Sequence, residues 1–380
     1  MRRRVQHLVL VVALVGAFAA VRYAALRDPM PVIDRTSPAW KQREAALTRA
    51  KVFLPAAGRA ARLSASPQPS ASATGEPLRC TYVPKPNSGT TPKFDCRLAD
   101  GDVVKVKYGN NPEVPAEVAA TTFLRALGFA ADDVSLVTDV ECIGCPPHPY
   151  RTRQVAEMLF LSGVLDRSLN FSGSRRYTHA AVERKFDAEP IEAGDVKGWQ
   201  WSDLDLVDET QGGASRAELD ALRLVAVLLA HWDNKPSNQR LVCLDPGRED
   251  DAGDESAACR QPLLMLQDLG ATFGPKKLDH ANWSQTPLWE SDGTCVATMA
   301  SLPYNGATFR PVAISEEGRR LLAGRLARLS EDEMHALFRT AGFPDAATGT
   351  PRAVDVSPWV RTLQEKIAAI SSHAPCPSAS

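Results

Sequence analysis

The run His231-Trp232-Asp233-Asn234-Lys235-Pro236-Ser237-Asn238 constrains this chain more than any other segment. Asp, Asn and Pro favour turns, yet this polar run is wedged between strongly apolar stretches. Ahead of it, residues 217–230 place Leu219, Leu222, Val225, Ala226 and Leu229 at helical spacing, so the loop leaves the end of a buried helix. Behind it, Leu241-Val242-Cys243-Leu244 and Leu263-Leu264-Met265-Leu266 read as a pair of short strands. Gln267-Asp268-Leu269-Gly270 follows the second strand. The local order is helix, polar loop, strand, hairpin, strand and Asp-x-Gly.

Upstream, residues 102–109 alternate like a strand, with Val104, Val106 and Tyr108 on one face and Lys105 and Lys107 on the other. Pro115 opens a helical run through Phe129 whose apolar face is Ala120, Phe123, Leu124 and Leu127. Glu117 shares that buried side, where a lone carboxylate is costly unless paired. A strand lysine would pair it. Residue spacing leaves Lys105 and Lys107 both open, and a solvated strand face or a helix N-terminal acid accounts for the same residues without a ligand. Residues 87–94 lie between presumptive strands at 80–83 and 94–98. Their glycine and hydroxyls, Gly89 and Thr90 among them, offer donors to a phosphate, although an ordinary hairpin turn fits equally.

The run fits H-x-D-x-K-P-x-N, and with the downstream Asp-Leu-Gly it resembles the catalytic loop and metal-binding turn of the protein-kinase-like superfamily. The run Lys107-Tyr108-Gly109-Asn110-Asn111 is similar to the strand end of phosphoinositide-kinase-like and HipA-like enzymes, which favours Lys107 as the nucleotide lysine. No Ala-Pro-Glu follows the Asp-Leu-Gly, so the likeness is to atypical branches: HipA-like, phosphoinositide-kinase-like, spore-coat and secretory-pathway kinases, several of them exported and disulfide-bonded. The general cast is also that of exported bacterial proteins. The resemblance implies an α+β, bilobal, disulfide-stabilised fold with a β-rich N-lobe over residues 78–186 and a mainly helical C-lobe over 187–345. It implies that Asp233 accepts the acceptor hydroxyl's proton and Lys235 neutralises the moving phosphoryl group. Asn238 and Asp268 would hold Mg²⁺ (or Mn²⁺), and Lys107 paired to Glu117 would bind the phosphates of ATP. His231 would brace the Asp-Leu-Gly turn. The implied partners are a nucleotide and an unidentified protein or small-molecule acceptor. Nucleotidyl transfer or glutamylation on the same constellation, or a non-catalytic scaffold, are the alternative readings.

The flanks speak to compartment. Residues 1–25 join Arg2-Arg3-Arg4 to an apolar stretch and read as a signal peptide or an N-terminal anchor, the one route to a membrane. Residues 26–77 read as an amphipathic helix over 37–53 followed by a Ser/Ala/Pro-rich linker, and 346–380 as a loose tail held by Cys376. Eight cysteines support export, and their spacing pairs Cys80 with Cys96, Cys142 with Cys145, Cys243 with Cys259 and Cys295 with Cys376. Cys142-Ile143-Gly144-Cys145 reads as a structural disulfide, since no second Cys pair or nearby His pair completes a zinc site. Ser315 and Ser330 read as helix N-caps, and Trp199 and Trp201 as core aromatics. A net charge of −1 over 380 residues leaves no footprint for nucleic acid.

Overall fold

A computed structural model describes residues 34–55, 76–85, 89–158, 171–245, 259–303 and 306–377. The signal or anchor at 1–25, the linker at 56–75, Asn87, Ser88 and the acidic loop at 246–258 lie outside the described residues. The fold is mixed α+β. Five strands, β1 (Leu78–Val83), β2 (Lys93–Arg97), β3 (Val103–Lys107), β4 (Asp133–Ile143) and β5 (Ser174–Arg184), close a barrel in the order β1-β2-β3-β5-β4. All neighbours are antiparallel except β1 and β4. Alternation sends Val104, Val106, Phe94, Val140, Ala180 and Val182 into the barrel core. Lys105 and Lys107 take the other face, as their spacing requires.

Helix α1 (Pro38–Thr48) is capped by Ser37 and is shorter than expected; beyond it the chain makes single bridges from Lys51 to Leu263 and from Phe53 to Phe129. Helix α2 (Glu113–Ala126) starts two residues before Pro115, which sits in its first turn, where a missing N–H costs nothing. Helix α3 (Pro149–Met158) packs against β2. After β5 the chain crosses to a second sheet, β6 (Glu189–Pro190), β7 (Gln239–Cys243) and β8 (Pro262–Leu266), in the order β6-β7-β8. Ser215 and Glu218 form the capping box that opens α4 (Arg216–Leu228), whose interior is buried all round. The strand pair expected at 241–244 and 263–266 is the antiparallel β7–β8 ladder. Beyond α5 (His280–Gln285) and the short β9 (Val296–Ala297) and β10 (Val312–Ala313), α6 (Glu316–Leu326) and α7 (Glu331–Thr340) begin at the expected caps Ser315 and Ser330.

The expectation of a loose tail is corrected. Residues Ser357–Ser371 form α8, and Trp359, Val360, Leu363 and Ile370 bury one face against the main core. Pro358 in its first turn had hidden the apolar period that follows. Trp199 and Trp201 are core residues in edge-to-face contact. All four disulfides form as paired from spacing, which is compatible with an oxidising environment. The register Cys80↔Cys142 brings the first two together, with Cys96 Sγ 3.8 Å from Cys142 Sγ, so a second Cys pair does stand beside Cys142–Cys145. Both pairs are oxidised and offer no thiolate. Among the described residues, no helix is long and apolar enough to cross a membrane.

Candidate active site

The polar loop is held open by hydrogen bonds that its own residues make. Helix α4 ends at Leu228, and Ala230 takes a left-handed conformation (φ 53°) that turns the chain out of the core. Asn234, fully buried, donates to the His231 carbonyl (2.8 Å) and accepts from the backbone N–H groups of Thr308 and Phe309 (3.0 Å each). Asn238 donates to the Asp233 carbonyl (2.6 Å), closing a turn around Lys235 and Pro236. Lys235 Nζ lies 3.2 Å from Asp233, both partly exposed. Gly198 lies against this turn: a Cβ there would stand 1.9 Å from the Pro236 carbonyl and 2.1 Å from that of Gln239, and its φ is +65°. Only glycine fits under the loop.

The loop and the Asp-Leu-Gly turn are stitched together. Phe273 N–H donates to Leu229 O (2.8 Å), Trp232 N–H to Ala271 O (3.3 Å) and Gln267 N–H to Asn238 O (3.0 Å). The Trp232 indole N–H donates to Gly274 O (3.1 Å) and the Gln267 side-chain amide to Ser237 O (2.8 Å). His231 is fully buried: burial pushes its pKa down to about 4, against the pull of Asp233 and Asp268. It is a neutral packing residue that both acids feel. Asp268 is left-handed (φ 51°), a conformation that Asp tolerates better than most residues but that still costs energy and clusters at working sites. Gly270 leaves room for the Glu113 side chain at the start of α2, whose Cγ would stand 2.0 Å from a Cβ at that position.

Lys107 joins this turn to the barrel. Its ammonium is 2.7 and 2.6 Å from the two Glu117 oxygens and 2.9 Å from Asp268 Oδ1. Lys107 is 1 % exposed. Burial works against that ammonium, but Glu117, Asp268 and Glu183 outweigh it and hold its pKa well above the ordinary lysine value. Burial pushes the Glu117 carboxyl up against the pull of Lys107. Asp268, whose side chain is 42% exposed, is held well below the usual carboxylate range by Lys107 and then Lys93. Lys105 pairs instead with Glu183 at 3.0 Å, so the choice left open by spacing falls to Lys107.

The hairpin is placed in part. Gly89 is left-handed (φ 81°), its carbonyl accepts from the Tyr150 hydroxyl, and a Cβ on it would stand 3.3 Å from Lys93 Nζ. Thr90 is exposed beside it. Lys93 itself was not singled out from sequence. It faces Lys107 directly across β2 and β3, is 8 % exposed, and makes no hydrogen bond or ion pair with the described residues. Burial, then Lys107, lower its pKa. A buried ammonium beside a second one calls for an anion, because the nearby acids are already engaged, Asp268 by Lys107 and Glu113 by Lys277. The signal was present in the strand alternation: Lys93 and Asp95 share one face of β2, as Lys105 and Lys107 share one face of β3.

No family model matches the chain, and no curated protein matches it. Among solved structures the chain is similar to a Helicobacter pylori proinflammatory kinase, CtkA, at a TM-score of 0.42 and 10% sequence identity, over 77% of this chain and 92% of that one. An overlap this loose does not by itself assign a fold.

Proposed function

We propose that the chain is a bilobal, kinase-like phosphotransferase that moves a phosphoryl group from a Mg²⁺-bound nucleoside triphosphate, ATP in the reading from sequence, to an acceptor hydroxyl. The barrel is its N-lobe and the helical remainder its C-lobe. The observation that carries this is the Lys107 ammonium bonded at once to Glu117 on α2 and to Asp268 of the stitched turn. A strand, the helix that follows it and a turn 161 residues downstream of Lys107 converge on one cation, and the loop bearing Asp233, Lys235 and Asn238 is hydrogen-bonded to the same turn.

Each residue then has a task. Lys107 and Lys93 receive the donor phosphates, the second supplying a cation that forms no ion pair with the described residues. Asp233 accepts the hydroxyl proton, and Lys235 beside it offsets charge on the moving group. The donor set suits a hard cation: Asp268 stays ionised, and the Asn238 amide, which donates an N–H to Asp233 O, keeps an oxygen that would serve as a ligand. Magnesium, when bound, would neutralise charge on the phosphate oxygens. The four disulfides suit an exported protein acting in the envelope or outside the cell.

Two substitutions test this. Asp268→Ala should abolish Mg²⁺-dependent nucleotide binding, measured by calorimetry, with the fold retained. Asp233→Asn should leave binding intact and stop transfer of labelled phosphate to envelope extract. Unchanged Mg²⁺·nucleotide affinity in Asp268→Ala, or transfer by Asp233→Asn at the wild-type rate, would refute the assignment.

A further inference from the structure

The barrel face that bears Lys93 and Lys107 carries a second charged row that the proposed phosphoryl transfer does not use. Strand register sets it out. Lys93, Lys107 and Ala181 stand opposite one another across β2, β3 and β5; two residues along each strand, and so on the same face, stand Asp95, Lys105 and Glu183. The first row reaches Asp268 through Lys107. The second lies toward the point where the chain leaves β5 for β6. A nucleotide with its phosphates on the first row and its base directed toward that crossing meets the second.

This row is not the apolar wall that a base held by stacking alone requires. Lys105 Nζ is 3.0 and 3.2 Å from the Glu183 oxygens. Lys185 Nζ is 2.5 Å from Glu183 and 3.0 Å from Asp132. The acids are buried, Glu183 at 3% and Asp132 at 4%, whereas the lysine side chains are 25% and 48% exposed. Asp95, the row's third member, is 6% exposed and pairs with Lys85 at 3.3 Å, so the carboxylates are spent on ammonium groups and what the row offers to a ligand is N–H donors. An ammonium has three donors and no acceptor. Adenine carries an amino donor next to N7, which this row cannot satisfy; guanine carries two adjacent acceptors, O6 and N7, the edge a lysine reads in other settings.

We propose that the donor slot selects a guanine nucleotide over an adenine nucleotide, with Lys105 as the specificity-determining residue and Lys185 in support. This rests on the phosphotransfer reading, since it takes the phosphate row as occupied. The test is calorimetry on the full chain with Mg²⁺·GTP, Mg²⁺·ATP and Mg²⁺·tripolyphosphate. GTP should bind about tenfold tighter than ATP, within the range of one such base contact, and tripolyphosphate should bind more weakly than GTP. Lys105→Met should bring the GTP-to-ATP ratio toward one. The charge-balanced double variant Lys105→Met/Glu183→Gln should do the same if loss of the ion pair alone impairs folding. ATP binding as tightly as GTP, tripolyphosphate matching GTP, or a ratio unchanged in both variants would overturn the proposal while leaving phosphotransfer standing. If none of the three probes binds, the phosphotransfer reading falls and this one with it.

Discussion

Lys107→Met removes the cation that serves both Glu117 and Asp268, with little change in side-chain volume. Both members of the Lys107–Glu117 pair are buried, at 1% and 3% exposure. Taking one partner from a buried ion pair costs about 3–5 kcal/mol, because the other charge is left without compensation. The chain has a way to reduce that cost. Burial, Glu183 and Asp268 all raise the Glu117 pKa and Lys107 alone lowers it, yet the balance already stands at about 7 against an ordinary 4.5. Without Lys107 the folded-state value rises further, and Glu117 takes up a proton.

The pH dependence follows from linkage. A carboxyl whose folded pKa is raised contributes stability that is complete below its unfolded pKa and is lost as pH rises through the folded one. In the wild type that loss begins near the ordinary 4.5 and is complete near pH 7; in the variant it continues to higher pH. The variant's penalty relative to wild type should thus be smallest below pH 7. It should grow above that, by about 1.4 kcal/mol for each unit of extra shift, toward the full cost by pH 9. Urea denaturation of both proteins at pH 6 and pH 9 measures it, and subtracting the two cancels groups that titrate alike. Lys107→Met/Glu117→Gln should lose the pH dependence. A penalty that stays flat or shrinks from pH 6 to pH 9, or one under about 1 kcal/mol at both, would refute the buried-pair account.

Other consequences are simpler to check. Gly198→Ala, with its Cβ driven into two carbonyls and a φ of +65°, should cost about 3 kcal/mol or more in denaturant melts. His231, whose folded pKa of about 4 lies below its ordinary 6.5, contributes stability that is present above pH 6.5 and lost as pH falls through 4. The total is about 3 kcal/mol, and His231→Phe should flatten that part of the stability–pH profile. Removing Cys295–Cys376, which closes 81 residues, should destabilise more than removing Cys243–Cys259, which closes 16: about 4–5 against about 3 kcal/mol if loop entropy dominates.

What was legible in the sequence was what local spacing determines. The apolar period of residues 217–230 ends where α4 ends to within two residues, and the two short apolar runs do pair, because a run of that length bounded by polar residues has few other ways to bury itself. Glu117 on an apolar helix face required a partner, and Lys107 supplies it. The less legible parts depend on tertiary approach. Asn234 stands in the motif as a generic polar residue, and only the return of residues 307–309 shows it tying the loop down. Gly198 has no sequence pattern at all; its necessity comes from two carbonyls about 40 residues downstream. The C-terminal helix was obscured by its Pro-rich entry and by the assumption that a segment after the last expected helix is loose.

The choice between Lys105 and Lys107 shows why alternation alone could not resolve the site. Both lysines lie on one face of β3 and both reach Glu183, at 3.0 and 3.8 Å. They differ in what passes beneath. Helix α2 starts six residues after Lys107, and Glu113 at its first position packs on Gly270 and pairs with Lys277 at 2.5 Å. That contact fixes the helix against the Asp-Leu-Gly turn, so Glu117, one turn along, and Asp268, two residues before Gly270, both arrive at Lys107. Gly270, a residue with no side chain, permits that approach, because a Cβ there would displace the Glu113 side chain from its seat on the turn. Substituting Gly270 should therefore disturb the Lys107 pair before it disturbs Lys105, whose partner is held within the barrel by β3–β5 register and needs no help from the helix.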